Sequence, residues 1–285
     1  MNLSRHLTAR PIRSLLLVTT VLLLVGGLLA GVLFGSSAHA ALAGRPAAPK
    51  PTIVLVHGAW ADSSSWSGVI SRLQRDGYTV LAEPNPLRGL ASDAAYLSAF
   101  IKQRTTGPVV LVGHSYGGAV ITDAATADPT VKALVYVDAF APAQGESVLG
   151  LQSTVPGGPD PASLFDTVLY PGAPAGDADL YLKTPVVLQD FATGLSAGQA
   201  EGIAATQRPV TLAALTAPSS APAWKTIRSW YVLGTQDKII PPSLQLMMAQ
   251  RAHSDITRVA AGHLSLVTAP GAVTSVILAA ASTVR

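Results

Sequence analysis

Residues 108–121 read PVVLVGHSYGGAVI, and this stretch decides the fold that the sequence predicts. The apolar run 109–112 is typical of a strand buried on both faces, and residues 118–121 open a helix. Between them lies G-x-S-x-G, which alone would arise by chance in about one chain in ten of this length. Its position between a strand and a helix makes the motif more specific. The flanking glycines allow a sharp turn that leaves the Ser115 side chain free at the carboxyl end of the strand. A plain turn with an idle serine is the alternative.

Short β-branched apolar runs alternate with helical stretches along the chain. The predicted strands are Ile53–Val56, Thr79–Ala82, Val109–Val112, Ala133–Val137, Trp230–Leu233 and Ile256–Val259. Fully apolar runs such as VVLV and ALVYV predict burial on both faces, as in a parallel sheet covered by helices. The predicted helices are Trp66–Asp76, Ser92–Arg104, Gly117–Ala127, Ser243–Arg251 and Ala272–Ala281. We therefore expect an α/β fold with a mainly parallel sheet of about six strands.

The alternation stops over residues 144–223, where proline, glycine and alanine accumulate. We expect an inserted helical cap there, with short helices near Val186–Phe191 and Ala197–Ala205. A disordered surface insertion is the alternative that the small-residue content allows. Apolar anchors favour the cap: Leu164, Phe165, Leu169, Tyr170, Leu180, Tyr181, Leu188 and Phe191.

The N-terminus carries a pattern of its own. Arg5, Arg10 and Arg13 precede an apolar run from Leu15 to Gly35, and Ala38-His39-Ala40 offers a small-x-small cleavage site. This predicts a signal peptide over residues 1–40, a flexible leader over 41–51 and a folded domain over 52–285, with the protein secreted. Because the apolar run is long enough to span a bilayer, an uncleaved anchor over residues 15–35 is the alternative.

Composition argues against several classes of partner. Without residues 1–40, sixteen basic residues remain against sixteen acidic ones, so no electrostatic footprint for nucleic acid is expected. A membrane is expected as a partner only if the N-terminal segment stays uncleaved. The chain has no cysteine, which excludes disulfides, a thiol nucleophile and zinc-thiolate sites. With no clustered His/Asp spacing and no G-x-G-x-x-G, we expect no metal and no cofactor.

A serine hydroxyl becomes a nucleophile when a histidine takes its proton and a carboxylate orients that histidine. His263 is the candidate base, because it lies in the loop AAGHL directly after the predicted strand Ile256–Val259. The other histidines are assigned to the targeting segment, to a polar helix end, or to hydrogen bonding and packing beside the predicted loops: His6, His39, His253, His57 and His114.

Two aspartates compete for the carboxylate role. Asp237 lies in GTQDKIIPP, just beyond the strand Trp230–Leu233, and Asp138 ends the preceding strand in YVDAFAP. Both strands are expected to end at the same edge of the sheet. We favour Asp237, because its Gly-to-Pro loop resembles the usual acid loop; Asp138 would then be a structural hydrogen-bonding residue.

Acyl transfer also requires donors for a developing oxyanion. The residue after the nucleophile supplies one backbone N–H and the loop after the first strand supplies another. These positions are Tyr116 and Ala59, the latter in HGAW, where Gly58 allows close approach of the backbone. Trp60 and Trp66 are candidates for the pocket lining, with ordinary packing as the alternative.

The segments IVLVHGAW, VVLVGHSYGGAV, YVDAFAP, GTQDKIIPP and AAGHLSLV resemble the α/β-hydrolase family, particularly the plant methyl-ester esterases and hydroxynitrile lyases and their bacterial relatives. The resemblance covers nearly all of residues 52–285. It implies Ser115 as nucleophile, Asp237 as acid, His263 as base, and Ala59 and Tyr116 as oxyanion amides. The lyases have a lysine directly after the catalytic histidine, whereas this chain has Leu264, so cyanohydrin cleavage is disfavoured.

The hypothesis that follows is a serine hydrolase that cleaves small carboxylic esters through an acyl-enzyme. A lactone or amide hydrolase is one alternative. A ligand-binding or receptor protein that keeps the fold without catalysis is another. The sequence gives no oligomeric state and does not name the substrate, because specificity is expected to lie in the cap.

Overall fold

The computed structural model describes residues 49–157 and 160–284. Nine strands lie in these ranges: β1 Thr52–Val56, β2 Val80–Glu83, β3 Val109–His114, β4 Val131–Val137, β5 Phe165–Val168, β6 Asp179–Leu182, β7 Val210–Thr211, β8 Ser229–Gly234 and β9 Asp255–Val259. Six of them form one sheet in the order β2-β1-β3-β4-β8-β9, and every neighbouring pair is parallel. The predicted parallel sheet of six strands is confirmed. The predicted signal peptide and most of the leader lie outside the described residues.

The inner strands are buried along their whole length. Every residue of β1, β3 and β8 is buried, which explains their continuous apolar runs, whereas β9 at the sheet edge is partly exposed. The register pairs His114 with Val137 and Gly234 with Val259. Because parallel strands end at a common edge, the loops after β3, β4, β8 and β9 emerge side by side.

Eleven α-helices accompany the strands in the described ranges: α1 Ser67–Arg75, α2 Leu90–Arg104, α3 Tyr116–Ala124, α4 Val148–Ser153, α5 Pro161–Leu164, α6 Thr184–Val186, α7 Ala197–Thr206, α8 Leu212–Thr216, α9 Pro242–Arg251, α10 Ser265–Thr268 and α11 Pro270–Ser282. Helix α11 packs on α1 and on β3, β4 and β8, while α2 packs against α3. The five predicted helices correspond to α1, α2, α3, α9 and α11, with ends shifted by a few residues. No helix in the described ranges is both long and apolar enough to cross a membrane.

The segment between β4 and β8 combines short helices with a second sheet. The two predicted cap helices appear as a π-helical turn over Val187–Phe191 and as α7. The antiparallel sheet β5-β6-β7 was not predicted, because strands of four, four and two residues carry no apolar run. Leu169 and Leu188 were expected as anchors, and that was wrong: Leu169 is 80% exposed and Leu188 is also exposed. Phe191 is fully buried and does anchor the segment.

Candidate active site

Ser115 occupies a strained turn between β3 and α3. Its backbone has φ 53° and ψ −125°, a conformation that is rare outside glycine. Hydrogen bonds hold the turn on both sides: Ser115 N donates to Val137 O at 3.3 Å, and Ser115 O accepts from Phe140 N at 3.1 Å. The strand-turn-helix predicted around G-x-S-x-G is therefore present, and the turn is fixed to the end of β4.

A chain of two hydrogen bonds links Ser115 to an aspartate. Ser115 Oγ lies 3.0 Å from His263 Nε2, and His263 Nδ1 lies 2.8 Å from Asp237 Oδ2. His263 and Asp237 are buried, and Ser115 is only 2% exposed. The structure thus brings together the three residues that the sequence singled out, from loops after β3, β8 and β9.

Four hydrogen bonds hold the Asp237 carboxylate. Its Oδ1 accepts from the backbone of Ile239 at 2.8 Å and of Ile240 at 2.9 Å. Its Oδ2 accepts from Gln245 Nε2 at 2.8 Å as well as from His263. These four hydrogen bonds fix the direction of the carboxylate. Gln245 was not predicted: it reaches the site from α9, eight residues after Asp237, and no local motif marks it.

The rival aspartate, Asp138, has a different partner. Its Oδ2 accepts a hydrogen bond of 3.3 Å from Ser265 N, and the structure gives no hydrogen bond between Asp138 and His263. Asp138 is fully buried. It therefore contacts the loop that carries the histidine, while the histidine ring itself faces Asp237.

Ala59 and Tyr116 line the same cavity as Ser115. Within the described ranges, neither N–H donates a hydrogen bond to another part of the protein. The loop that carries Ala59 is in direct contact with the nucleophile turn, since a Cβ added at Gly58 would lie 2.6 Å from Ser115 Cβ. Two free N–H donors beside a serine hydroxyl can stabilise a developing oxyanion.

Two further histidines support the site without joining the chain of hydrogen bonds. His114 Nε2 donates to the carbonyl oxygen of His263 at 2.9 Å, and burial lowers the pKa of His114 well below its usual value. His57 Nδ1 donates to Gly58 O at 2.8 Å, and burial lowers the pKa of His57 to about 4. Both rings are therefore neutral near pH 7 and act as hydrogen-bonding residues. In the described part of the chain, no three His, Asp or Glu side chains converge to hold a metal ion.

The segment between β4 and β8 covers the site with aromatic rings. The ring of Phe191 lies 5.3 Å from that of His263, and the ring of Trp60 lies 6.1 Å from Phe191. Trp60 lines the cavity, as the sequence suggested, whereas Trp66 is buried against His114 and does not. Phe191 was predicted as a packing anchor, but nothing in the sequence indicated its contact with His263.

A cavity of about 400 Å³ opens beside Ser115. Its wall is predominantly apolar and includes Phe140, Val148, Leu149, Phe165, Leu182 and Ile239. Lys238 and Asp190 also line it, and their side chains lie 3.4 Å apart as an ion pair. The cavity therefore offers a small molecule a mainly apolar surface next to the Ser115 hydroxyl, Ala59 and Tyr116.

The fold and this constellation define an α/β hydrolase. A model of the alpha/beta hydrolase family matches residues 53–276, and the chain belongs to that family. The sequence-based resemblance to its methyl-ester esterase branch is confirmed by the relatives that follow.

The chain is 28% identical over 253 residues to alpha/beta hydrolase nvfD of Aspergillus novofumigatus (strain IBT 16806), which covers 81% of this chain and 97% of that protein. A carbendazim hydrolyzing esterase of Nocardioides sp. (strain SG-4G) is 36% identical over 110 residues, 34% of this chain and 46% of that one. Putative methylesterase 13 of Arabidopsis thaliana is 26% identical over 211 residues, which are 68% of this chain and 48% of that protein. Among solved structures, polyneuridine aldehyde esterase has the same fold, with a TM-score of 0.69 and 19% identity over 81% of this chain and 99% of that one.

Proposed function

We propose that this protein is a serine hydrolase that cleaves carboxylic esters through an acyl-enzyme intermediate. The observation that carries the proposal is the unbroken chain of hydrogen bonds from Asp237 through His263 to Ser115, which ends in an apolar cavity. Esterases among the relatives support the same chemistry. A hydroxyl held 3.0 Å from an imidazole nitrogen is placed to transfer its proton to that nitrogen as it attacks.

In the first half of the reaction, Ser115 Oγ attacks the ester carbonyl carbon while His263 Nε2 takes the hydroxyl proton. The negative charge passes to the carbonyl oxygen, where the N–H groups of Ala59 and Tyr116 stabilise it. Asp237 stabilises the imidazolium across the 2.8 Å hydrogen bond to Nδ1. The tetrahedral intermediate then collapses, His263 returns the proton to the leaving alkoxide, and an alcohol departs.

In the second half, water attacks the acyl group bound to Ser115, and His263 takes a proton from that water. The same two amides hold the second oxyanion, and the collapse returns the proton to Ser115 Oγ and releases the carboxylic acid. Both halves use His263 as the base and the same two amides as donors. Because the proton returns to Ser115 Oγ and the acyl group leaves, the protein is regenerated at the end of the cycle.

The cavity supports small uncharged esters as substrates. A volume of about 400 Å³ lies in the range of small-molecule sites. The wall includes three charged residues: Lys238 and Asp190, which offset each other in an ion pair, and Asp160. Because most of the remaining wall is apolar, we propose neutral acyl chains of short to medium length as the substrates.

Steady-state kinetics with chromogenic esters of short, medium and long acyl chains test the proposal. The matched variant Ser115→Ala removes the nucleophile, and Ser275→Ala, on the exposed side of α11, is the control. We expect turnover in the native protein and the control and a loss of about 10⁴-fold or more in Ser115→Ala.

Lactones and anilides in the same panel address the alternative reactions. Preferential cleavage of either would assign the triad to lactone or amide hydrolysis. Binding of these compounds by calorimetry without any cleavage would contradict catalysis and favour a ligand-binding protein.

A further inference from the structure

Two buried carboxyl groups lie at neighbouring strand ends beside His263, and their surroundings are opposite. Asp237 accepts four hydrogen bonds from Ile239, Ile240, Gln245 and His263. Asp138 accepts one hydrogen bond, of 3.3 Å, from Ser265 N. In the described part of the chain, Asp138 Oδ1 has no hydrogen-bond partner at all.

The Asp138 side chain sits where three elements meet. It follows β4, its backbone has φ 45°, and its N–H donates to Val232 O in β8 at 3.0 Å. A Cβ added at Gly234, the last residue of β8, would lie 2.7 Å from Asp138 Oδ1. Its Oδ2 contacts Ser265, two residues after His263. Asp138 thus connects the ends of β4 and β8 to the loop that carries the histidine.

This environment disfavours a charge on Asp138. A buried carboxylate is stable only when its donors outweigh the cost of burial. Ser265 N donates a long hydrogen bond of 3.3 Å to Asp138, and the Ser265 hydroxyl and the Gly234 backbone are close enough to lower its pKa, but burial outweighs these donors. Burial raises the pKa of Asp138 well above its usual value, and the neighbouring Asp237 raises it further, while Ser265 and Gly234 lower it. The phenol of Tyr231, the other titratable group close to Asp138, has a pKa raised well above its usual value by burial and stays neutral. His114, whose ring lies 4.9 Å from that of His263 on the adjacent strand, is neutral as well.

We propose that Asp138 is a positioning residue that works as a neutral carboxylic acid, tying the His263 loop to β4 while Asp237 remains the only negative charge at the histidine. Its effect on turnover rests on the proposed esterase function. Its protonation does not rest on that function, because it follows from the burial of Asp138, its hydrogen bonds and the neighbouring Asp237. Two experiments separate these parts.

The first experiment measures proton linkage and needs no substrate. Denaturant unfolding of the native protein and of Asp138→Asn is followed between pH 5 and pH 8. The folded native protein keeps a proton that its unfolded chain has lost, so its folding equilibrium constant should fall relative to that of the variant by about tenfold per pH unit. Other buried groups contribute equally to both proteins and cancel in the ratio.

Asp177→Asn is the matched control for this experiment. Burial raises the pKa of Asp177, but hydrogen bonds from Ala213, Tyr170 and Ala178 lower it, with a net shift below the usual value. The ratio of the folding equilibrium constant of Asp177→Asn to that of the native protein should therefore not change between pH 5 and pH 8. A flat ratio for Asp138→Asn as well would overturn the proposal, because it would mean that Asp138 is charged in the folded protein.

The second experiment compares Asp138→Asn with Asp138→Ala in ester turnover. The amide keeps an acceptor for Ser265 N and carries no charge, so kcat should stay within about threefold of the native value. Alanine leaves Ser265 N without its partner and should lower kcat by about tenfold with little change in KM. Equal losses in the two variants, both folded by circular dichroism, would contradict the positioning role. If the native protein cleaves no ester, the proposed function fails, and the linkage experiment still decides the state of Asp138.

Discussion

At the scale of single residues, the chemistry depends on which carboxylate orients His263. Asp237 and Asp138 have the same side chain and lie one strand apart, so their roles differ only through their neighbours. Four hydrogen bonds hold Asp237, including those from the backbone N–H groups of Ile239 and Ile240 and the one from His263, whereas Asp138 contacts Ser265. The hydrogen bonds therefore favour Asp237 as the partner of the histidine ring and Asp138 as a support of the loop that carries it.

Replacing Asp237 with asparagine tests this assignment. The amide keeps the size of the side chain but cannot stabilise an imidazolium, and it can stabilise the wrong tautomer of His263. We expect kcat for ester cleavage to fall by about 10⁴-fold with the fold retained. Steady-state kinetics of Asp237→Asn measure kcat, and circular dichroism shows whether the variant is folded. A decrease in kcat of less than about tenfold would contradict the role of Asp237.

The hydrogen-bonded arrangement of Ser115, His263 and Asp237 could be predicted from local sequence, because each residue follows a strand in a short recognisable loop. The oxyanion role of the Ala59 and Tyr116 amides stays a prediction. The contacts of Gln245 and Phe191 could not be predicted. Gln245 reaches Asp237 from helix α9, and Phe191 reaches His263 from a π-helical turn 72 residues earlier in the chain. Such contacts depend on how elements pack, which no short motif records.

At the scale of elements, the loop after β1 must touch the nucleophile turn. Gly58 is where they meet, since an added Cβ would lie 2.6 Å from Ser115 Cβ and 2.9 Å from His114 O. Neither neighbour can move freely, because both belong to the end of β3 and its turn. The spacing between Ala59 and Tyr116 is thus set by a contact between two backbones.

Gly58→Ala should separate these two loops and displace the Ala59 amide. We expect kcat/KM to fall by about 10²-fold or more, because one oxyanion donor is lost. Gly202→Ala is the control: Gly202 is exposed within α7, and a Cβ there meets nothing within 4 Å. That change should leave turnover unaltered and stabilise the protein by about 0.5–1 kcal/mol, as measured by thermal unfolding. Similar kinetics for the two variants would contradict the contact.

Strand β2 ends in a carboxyl group with an unusual pKa. Glu83 is fully buried, and neither of its carboxyl oxygens has a hydrogen-bond partner in the described residues. Burial raises the pKa of Glu83 to about 8; the nearby Asp93 also raises this pKa, and Arg208 lowers it. The unfolded chain releases this proton near pH 4.5, the ordinary value. Between these two pH values the folded state therefore holds one more proton than the unfolded state, and stability decreases as the pH rises.

Glu83→Gln removes that dependence. Relative to the variant, the native protein should lose about 1.4 kcal/mol of unfolding free energy per pH unit between about pH 4.5 and pH 8, and little more above. Denaturant unfolding at a series of pH values measures the difference. A difference that grows in favour of the native protein with rising pH would contradict a neutral Glu83.

The elements themselves differ in how far the sequence predicts them. All six strands of the main sheet were predicted. The inner strands such as β3 and β4 have continuous apolar runs because they are buried on both faces, whereas the edge strands β2 and β9 are less buried. The sheet β5-β6-β7 was not predicted, since its strands are short and β5 has three exposed residues out of four. Its stability comes from pairing and from packing on the core, which the local sequence does not reveal.

At the scale of the whole molecule, the site depends on loops from four strands and on the segment that covers them. All of these lie within residues 49–284. The targeting pattern of residues 1–40 is separate in sequence, and we propose that it directs export and is removed after Ala40. The proposed esterase activity is then expected to belong to the remaining chain.

A protein that begins at Pro49 tests this division. Strand β1 begins at Thr52, and every residue placed in the site lies after it. We expect the shortened protein to fold and to cleave esters with the kcat/KM of the secreted form. N-terminal sequencing of the secreted form should give Ala41. A shortened protein that folds but loses activity would show that the preceding segment contributes to the site.

Covalent labelling with an organophosphonate tests the central claim most directly, because the reagent traps the nucleophile of a serine hydrolase. Peptide mapping by mass spectrometry should place one equivalent of label on Ser115, with activity lost in parallel. His263→Ala should be labelled far more slowly, because Ser115 Oγ then has no base, while His253→Ala should react at the native rate. Label on any other residue, or full ester turnover after Ser115 is modified, would contradict the account.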